Sequence, residues 1–309
     1  MTTEPVISLL LLAGGLGSRF GGTKQLADVG PRGSAILDHS IREAAAAGVT
    51  RVVVIGRTDL DADIRRHLAA QHGDDLDLVM VHQDAFGPQR AKPWGTGHAV
   101  VSARAALNGP VIVLNADDHY GPSGIARIGG AFVESPDGVP VASMLGFRLG
   151  RTLPASGTVS RGVCSRDAEG RLVGLVETHG IGREDSGTGG EAIRSTDPVG
   201  ELSPDTPVSM NIWGLPLAAV DALGGQWEAF HDAHRDSDTA EFLLPEALDD
   251  QRSEGRLSIE VVDTDEDWIG ITNREDLEVA RLAFRALDAS GPGGPGRTGP
   301  EEESSEEAP

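Results

Sequence analysis

The chain has 309 residues, 39% of them hydrophobic and 4% aromatic, and its 48 acidic and 26 basic side chains give a net charge of −22. A surface of that sign repels nucleic acid and anionic lipid, so a site for an anionic substrate must supply its own local cations. The single cysteine, Cys164, excludes an intramolecular disulfide and a cysteine-rich metal centre.

Residues 6–13 form an apolar run too short to cross a bilayer. They read as the buried first strand of a cytoplasmic protein with no membrane or nucleic-acid partner. From there to Gly138, short β-rich runs alternate with helical patterns, which is the signature of βαβ units and a largely parallel sheet. A glycine loop follows the first strand, then a helix over 34–47 that Ser34 caps and Gly48 stops. Strands are expected at 51–55, 76–82 and 111–114, and helices at 59–71, 97–107 and 122–133. Beyond Gly138 the pattern changes to strands at 139–147, 158–164, 172–176 and 207–213. The stretch 180–204, rich in Gly, Ser, Asp and Glu, reads as a mobile loop. Helices at 216–229 and 239–248, a strand at 257–262 and a helix at 274–287 complete one domain over 1–288, with halves at 6–138 and 139–288. Residues 289–309 read as a disordered acidic tail.

The glycine loop is the most informative stretch. Gly14, Gly15, Gly17, Gly21 and Gly22 surround Arg19 and lead to Lys24. No Gly-Lys-Ser/Thr closes it, so it is not a Walker A loop, and Phe20 stands where a dinucleotide fingerprint needs its third glycine. The physics is still that of polyanion binding. Glycines let backbone N–H groups turn toward phosphate and approach it closely, and Arg19 and Lys24 add charge. A tight turn with incidental cations is the bland alternative, and five glycines beside two cations speak against it. Lys24 and Lys92 are the only lysines in a chain with 24 arginines. Both lie in glycine-containing loops, where a compact ammonium on a flexible stem has a use that a guanidinium does not.

Asp117 and Asp118 follow the expected strand at 111–114. Carboxylates at the C-terminal end of a strand in an open α/β sheet point into the binding crevice. Mg²⁺ takes hard oxygen ligands and often uses one or two carboxylates with phosphate oxygens. A helix-capping pair is the alternative reading of these two residues.

On these residues the chain resembles the nucleotidyltransferase superfamily that includes the sugar-1-phosphate nucleotidylyltransferases. Gly14, Gly15, Gly17, Ser18, Arg19 and Lys24 match its Gly-Gly-x-Gly-Thr/Ser-Arg signature and following lysine. The spacing to Lys24 is shorter than the proline-containing form of many of its members. The resemblance implies an α/β fold, a Rossmann-like three-layer sandwich with a mostly parallel mixed central sheet, of the GT-A-like nucleotide-diphospho-sugar transferase type. It implies an NTP-binding half at 6–138 and an acceptor-binding half at 139–288. Leu12, Ala13, Gly14, Gly15, Gly17 and Ser18 would hold the nucleotide, with Lys92, Gly95 and Thr96 against base or phosphate. Arg19, Lys24 and Asp117 would be catalytic, and Asp117 and then Asp118 would hold Mg²⁺. In the acceptor half Glu177 would meet sugar hydroxyls. Thr178 stands where the family has a lysine, which leaves the acceptor phosphate to Arg161 or Arg183, while Asn211 could serve a polyol. The family's second metal ligand falls at Gly270 or Thr272, with Asp267 nearby.

The expected reaction is Mg²⁺-dependent transfer of a nucleoside monophosphate from an NTP to a phosphorylated small molecule, such as a sugar 1-phosphate or cyclitol phosphate. Alternatives are cytidylyl or guanylyl transfer to a non-sugar alcohol phosphate, a GT-A-type glycosyltransferase, and a non-catalytic sensor. An oligomer is compatible with all of them.

Overall fold

The computed structural model describes residues 6–15, 24–73, 76–132, 137–154, 156–185, 191–271, 274 and 276–290. Along them run β1 (Ser8–Leu12), α1 (Ile36–Ala46), β2 (Arg51–Gly56), α2 (Asp61–His72), β3 (Asp77–His82), α3 (Thr96–Ser102), β4 (Val111–Asn115), β5 (Asp118–His119) and α4 (Gly124–Gly129). The second half adds β6 (Val141–Arg148), β7 (Val159–Arg166), β8 (Leu172–Asp185), β9 (Glu191–Thr196), β10 (Val199–Leu202) and β11 (Pro207–Leu215). It ends with α5 (Leu217–His234), α6 (Leu244–Ser253), β12 (Ser258–Thr264), β13 (Ile269–Gly270) and α7 (Asp276–Ser290).

One mixed sheet organises the chain, in the order β10-β9-β8-β7-β11-β4-β1-β2-β3, with β6 and β12 branching from β11. Strands β4, β1, β2 and β3, from the middle of the sheet to one edge, are parallel, while β11 joins β4 antiparallel and leads into the antiparallel strands of the second half. The strand sequences explain why both faces are covered. Leu9 and Leu11 of β1, with Val52 and Val54 of β2, face one core, packed by α1, α2 and α4. Leu10, Val53 and Ile55 face the other, packed by α3, α5 and α6. Side chains alternate along a strand, so a continuous apolar run buries both faces at once, which makes three layers. A smaller cluster of Val29, Ile36, Ile271, Ala280 and Phe284 docks α7 against α1.

Three expectations are corrected. The stretch 180–204 contains the end of β8 and all of β9 and β10, rather than a loop without strands. Among its described residues the buried apolar side chains are Ile181 and Ile193, 0% and 5% exposed. Antiparallel strands with one solvated face need little more, so a composition of Gly, Ser and Glu disguises them. The helix expected over 122–133 is the shorter Gly124–Gly129, and the one expected over 239–248 begins only at Leu244. Its proline-marked first turn allows that start. The residues before it run extended, because the Phe242 N–H donates to the Trp94 carbonyl (2.7 Å) and the Phe242 carbonyl accepts from the Gly97 N–H (2.9 Å).

Candidate active site

Strand β1 pairs with β2 on one side and β4 on the other, so the order in which strands are added reverses between β4 and β1. A crevice opens at the C-terminal ends of such neighbours. Here it is flanked by the glycine loop after Leu12 and the acidic turn after Asn115, residues that are partners across the β1–β4 ladder. A cavity of about 600 Å³ lies there. Leu12, Gly14, Gly15, Lys24, Lys92, Gly95 and Thr96 line it from the first half, with Asp117 and Asp118, and Arg161, Glu177 and Asn211 line it from the second. Ala13 is fully buried beside it. Gly17, Ser18 and Arg19 lie outside the described residues.

Lys24 forms an ion pair with the Asp117 carboxylate; their side chains are 20% and 15% exposed. Neither group is fully withdrawn from water, so the pair can part when a ligand enters. Gln25, the next residue, is buried and donates from Nε2 to the Gly15 carbonyl (3.1 Å), which holds the end of the glycine loop. Asp118 accepts on Oδ2 from Asn115 Nδ2 (2.8 Å). Burial first, and then the charge of Asp117, push its carboxyl up to about 7, against the pull of Asn115, Lys24 and Arg161. Two adjacent carboxylates thus hold more negative charge than the protein compensates.

The segment expected to carry a further metal ligand does approach this pair. Strand β13 pairs with β5, setting Gly270 opposite Asp118, and the Ile271 N–H donates to the Asp117 carbonyl (3.2 Å). No side chain fits at 270. A Cβ there would lie 2.1 Å from the Trp268 ring and 2.6 Å from Asp118 Oδ1. Asp267 is exposed and paired with Arg151 (3.3 Å), outside the cavity, which removes it as a candidate. Thr272 lies outside the described residues.

In the second half, Arg161 is held in place rather than free to reach. Its guanidinium donates to the Thr152 carbonyl (2.6 Å), the Ser160 carbonyl (2.8 Å) and Thr152 Oγ1 (3.2 Å), and it sits 5.2 Å from the centre of the Trp268 ring. Burial lowers its pKa, and Asp118 and Glu177 oppose that. Arg183 donates to the Gly150 carbonyl (2.9 Å) and does not line the cavity. Glu177 stands at the open rim, with its carboxyl pushed up by partial burial against the pull of His179 and Arg161. Thr178, in place of the family's lysine, is buried and donates to the Val176 carbonyl (3.1 Å). Asn211, expected to serve a polyol, lines the cavity, and each end of its amide makes one bond to protein. Nδ2 donates to Asn115 Oδ1 (2.8 Å) and Oδ1 accepts from Trp213 Nε1 (3.1 Å).

On the other flank, Lys92 pairs with Glu241 (2.8 Å), and the Thr96 hydroxyl accepts from the Leu244 N–H (3.0 Å). Gly95 has φ +102°, and a Cβ there would fall 2.5 Å from the Phe242 carbonyl oxygen, so glycine is required. Gln83, at the end of β3, was not singled out from the sequence. Its Nε2 donates to the Gly95 carbonyl (2.9 Å) and faces Nδ1 of His98 (3.2 Å). Burial brings the His98 imidazole down to about 4, so it is neutral and accepts that bond. Gln25, Asn115 and Trp268 were also missed as site residues. Only the position of Gln83 and Asn115 at strand ends could have pointed to them.

The sequence matches the MobA-like NTP transferase domain over residues 9–235, more than half of the chain. The bifunctional protein GlmU of Methylibium petroleiphilum is 28% identical over 180 residues, which is 56% of this chain and 34% of that protein. The chain therefore spans about a third of the length of that curated relative. The crystal structure of HddC from Yersinia pseudotuberculosis superposes with a TM-score of 0.53 and 16% identity, over 90% of this chain and 99% of that one. At that identity the likeness concerns the fold.

Proposed function

Since this chain belongs to the MobA-like NTP transferase domain family, and so is a nucleotidyltransferase, we propose that it transfers a nucleoside monophosphate from an NTP to a sugar 1-phosphate or cyclitol phosphate, with Mg²⁺ held by Asp117 and Asp118. The observation that carries this reading is the meeting of Lys24 with Asp117 and Asp118 in one cavity at the C-terminal edge of the parallel strands. A cation and a carboxylate pair at a strand switch point suit a triphosphate and a hard divalent ion.

The donor set fits Mg²⁺. Both groups are hard oxygen ligands, and Mg²⁺ commonly takes one or two carboxylates from a protein together with phosphate oxygens. Such an ion, when bound, neutralises charge on the α-phosphate and the departing pyrophosphate. The chain's own groups do the remainder. An acceptor phosphate oxygen attacks the α-phosphorus, a P–O bond forms, and the bond to the bridging oxygen breaks with its electron pair leaving on pyrophosphate. The attacking oxygen is already anionic, so no strong general base is needed. Catalysis then rests on alignment and on fixed charge at the reacting phosphate. Lys24 supplies that charge on parting from Asp117, and Arg19 is proposed to add to it from the glycine loop. Gln83 and Gly95 form the wall proposed for the base. Glu177 and Arg161 face the proposed acceptor.

A second reading, a non-sugar alcohol phosphate as acceptor, is favoured by one feature. The acceptor flank carries Leu175, Met210 and Trp268, apolar surface that suits an acceptor with fewer hydroxyls. A pyrophosphate-release screen of ATP, CTP, GTP, UTP and dTTP against sugar, cyclitol and alcohol phosphates, with Mg²⁺, tests both. Turnover that needs an acceptor phosphate supports the family of reactions proposed, and the acceptor that works separates the two. Absence of acceptor-dependent release across the panel would refute them.

A further inference from the structure

A buried tryptophan ends a chain of directed hydrogen bonds on Asp118. Trp213 is fully buried, and its indole N–H donates to Asn211 Oδ1 (3.1 Å). Asn211 Nδ2 donates to Asn115 Oδ1 (2.8 Å), and Asn115 Nδ2 donates to Asp118 Oδ2 (2.8 Å). An amide can be turned end for end, but an indole nitrogen only donates. Trp213 therefore fixes the orientation of Asn211, which must present its NH₂ to Asn115, which in turn must present its own NH₂ to Asp118. Every polar atom in the series has a partner of the right kind, and the series runs one way.

The backbone is shaped to allow this. Asn211 has φ +65°, a left-handed conformation that a side chain other than glycine adopts at some cost. It lies inside β11 where pairing with β6 jumps from Ser209–Gly146 to Trp213–Met144, so β11 carries extra residues between those pairs. Such bulges re-aim a side chain beside a site. Here the bulge brings residue 211, on β11, to residue 115 at the end of β4, the neighbouring strand.

The structure assigns Asn211 and Asn115 as positioning residues: they form a relay anchored on Trp213 that holds Asp118 by its Oδ2 and so fixes how that carboxylate, beside Asp117, faces a divalent cation. This rests on the proposed cation site at Asp117 and Asp118. Outer groups of this kind commonly change metal affinity by about 10–100-fold when lost.

The test is Mn²⁺ binding to the full chain, read by electron paramagnetic resonance and water proton relaxation without substrates. Asn211→Gly keeps the left-handed backbone and removes the relay; Asn115→Leu removes the last donor at similar volume. Each is expected to raise the Mn²⁺ Kd by roughly 10-fold or more. Because the two act in series, the double variant should lose no more than the worse single one. Unchanged affinity in Asn211→Gly, or effects that multiply in the double variant, overturns the relay. A Kd unaltered by Asp118→Asn overturns the cation site as well, so the two failures are distinguishable. If Asn115→Leu does not fold, Asn211→Gly decides alone. A variant that loses thermal stability but binds Mn²⁺ normally also refutes the assignment.

Discussion

Lys24 owes its place to its two neighbours on either side of the cavity. Gln25 ties the chain to Gly15, and Asp117 receives the ammonium. The pair is mostly shielded from water, so removing the ammonium leaves Asp117 beside Asp118 without its counter-charge and should lower stability somewhat. Its loss should cost the proposed reaction far more. Lys24→Ala is expected to lower turnover by about 10²–10³-fold, as removal of a single charge-stabilising donor does. The check is pyrophosphate release beside thermal denaturation; near-normal release with an unchanged melting point would end the assignment. At this scale the sequence was informative where a residue type is chemically unusual for its setting. Two lysines among many arginines, and an aspartate pair after a strand, stand out on a bare listing. Asn211 does not, because an amide's role depends on which partners face its two ends, and those come from residues 115 and 213.

Helices α1 and α2 are fastened by a buried carboxylate. Asp38 of α1 accepts from His67 and His72 of α2, each at 2.7 Å, and from the Ala35 N–H at 2.7 Å. Burial alone would raise its pKa, but the bonds from His67, His72 and Ala35 outweigh that and bring it down to about 2. A carboxyl with a depressed folded-state pKa adds stability that is present above its unfolded value and lost as pH falls through the folded one. The window is therefore about pH 4 to pH 2, and the shift amounts to roughly 2 kcal/mol. Asp38→Asn should be less stable at neutral pH and show a flatter acid limb over that window, measured by urea denaturation as a function of pH. An unaltered acid limb would show that the clasp contributes nothing. The elements themselves were legible where burial is two-sided, as in β1, β2 and β4. They were not in β9 and β10, whose single inward face leaves too few apolar residues to see.

Across the whole molecule, charge and topology act on the same ligand. The chain carries −22 overall, while the cavity gathers Lys24, Lys92 and Arg161 among its lining residues. Long-range repulsion slows the approach of a polyphosphate, and salt screens it over about 10 Å at 0.1 M. Stopped-flow association of the NTP that turns over in the screen is therefore expected to speed up several-fold from about 10 to 150 mM salt, the opposite of a steered basic site. A rate that falls with salt would show that the local cations dominate at a distance too.

Sequence alone determined the alternating architecture, the glycine loop with its cations and the acidic turn, because each is written in neighbouring residues. Tertiary structure decided which side chains face one another. Strand β13 sets Gly270 opposite Asp118, the Phe242 carbonyl lies against Gly95, and β11 brings Asn211 to Asn115. Those contacts join segments about a hundred or more residues apart, or hang on a bulge, and no local pattern records a meeting that only the finished sheet brings about.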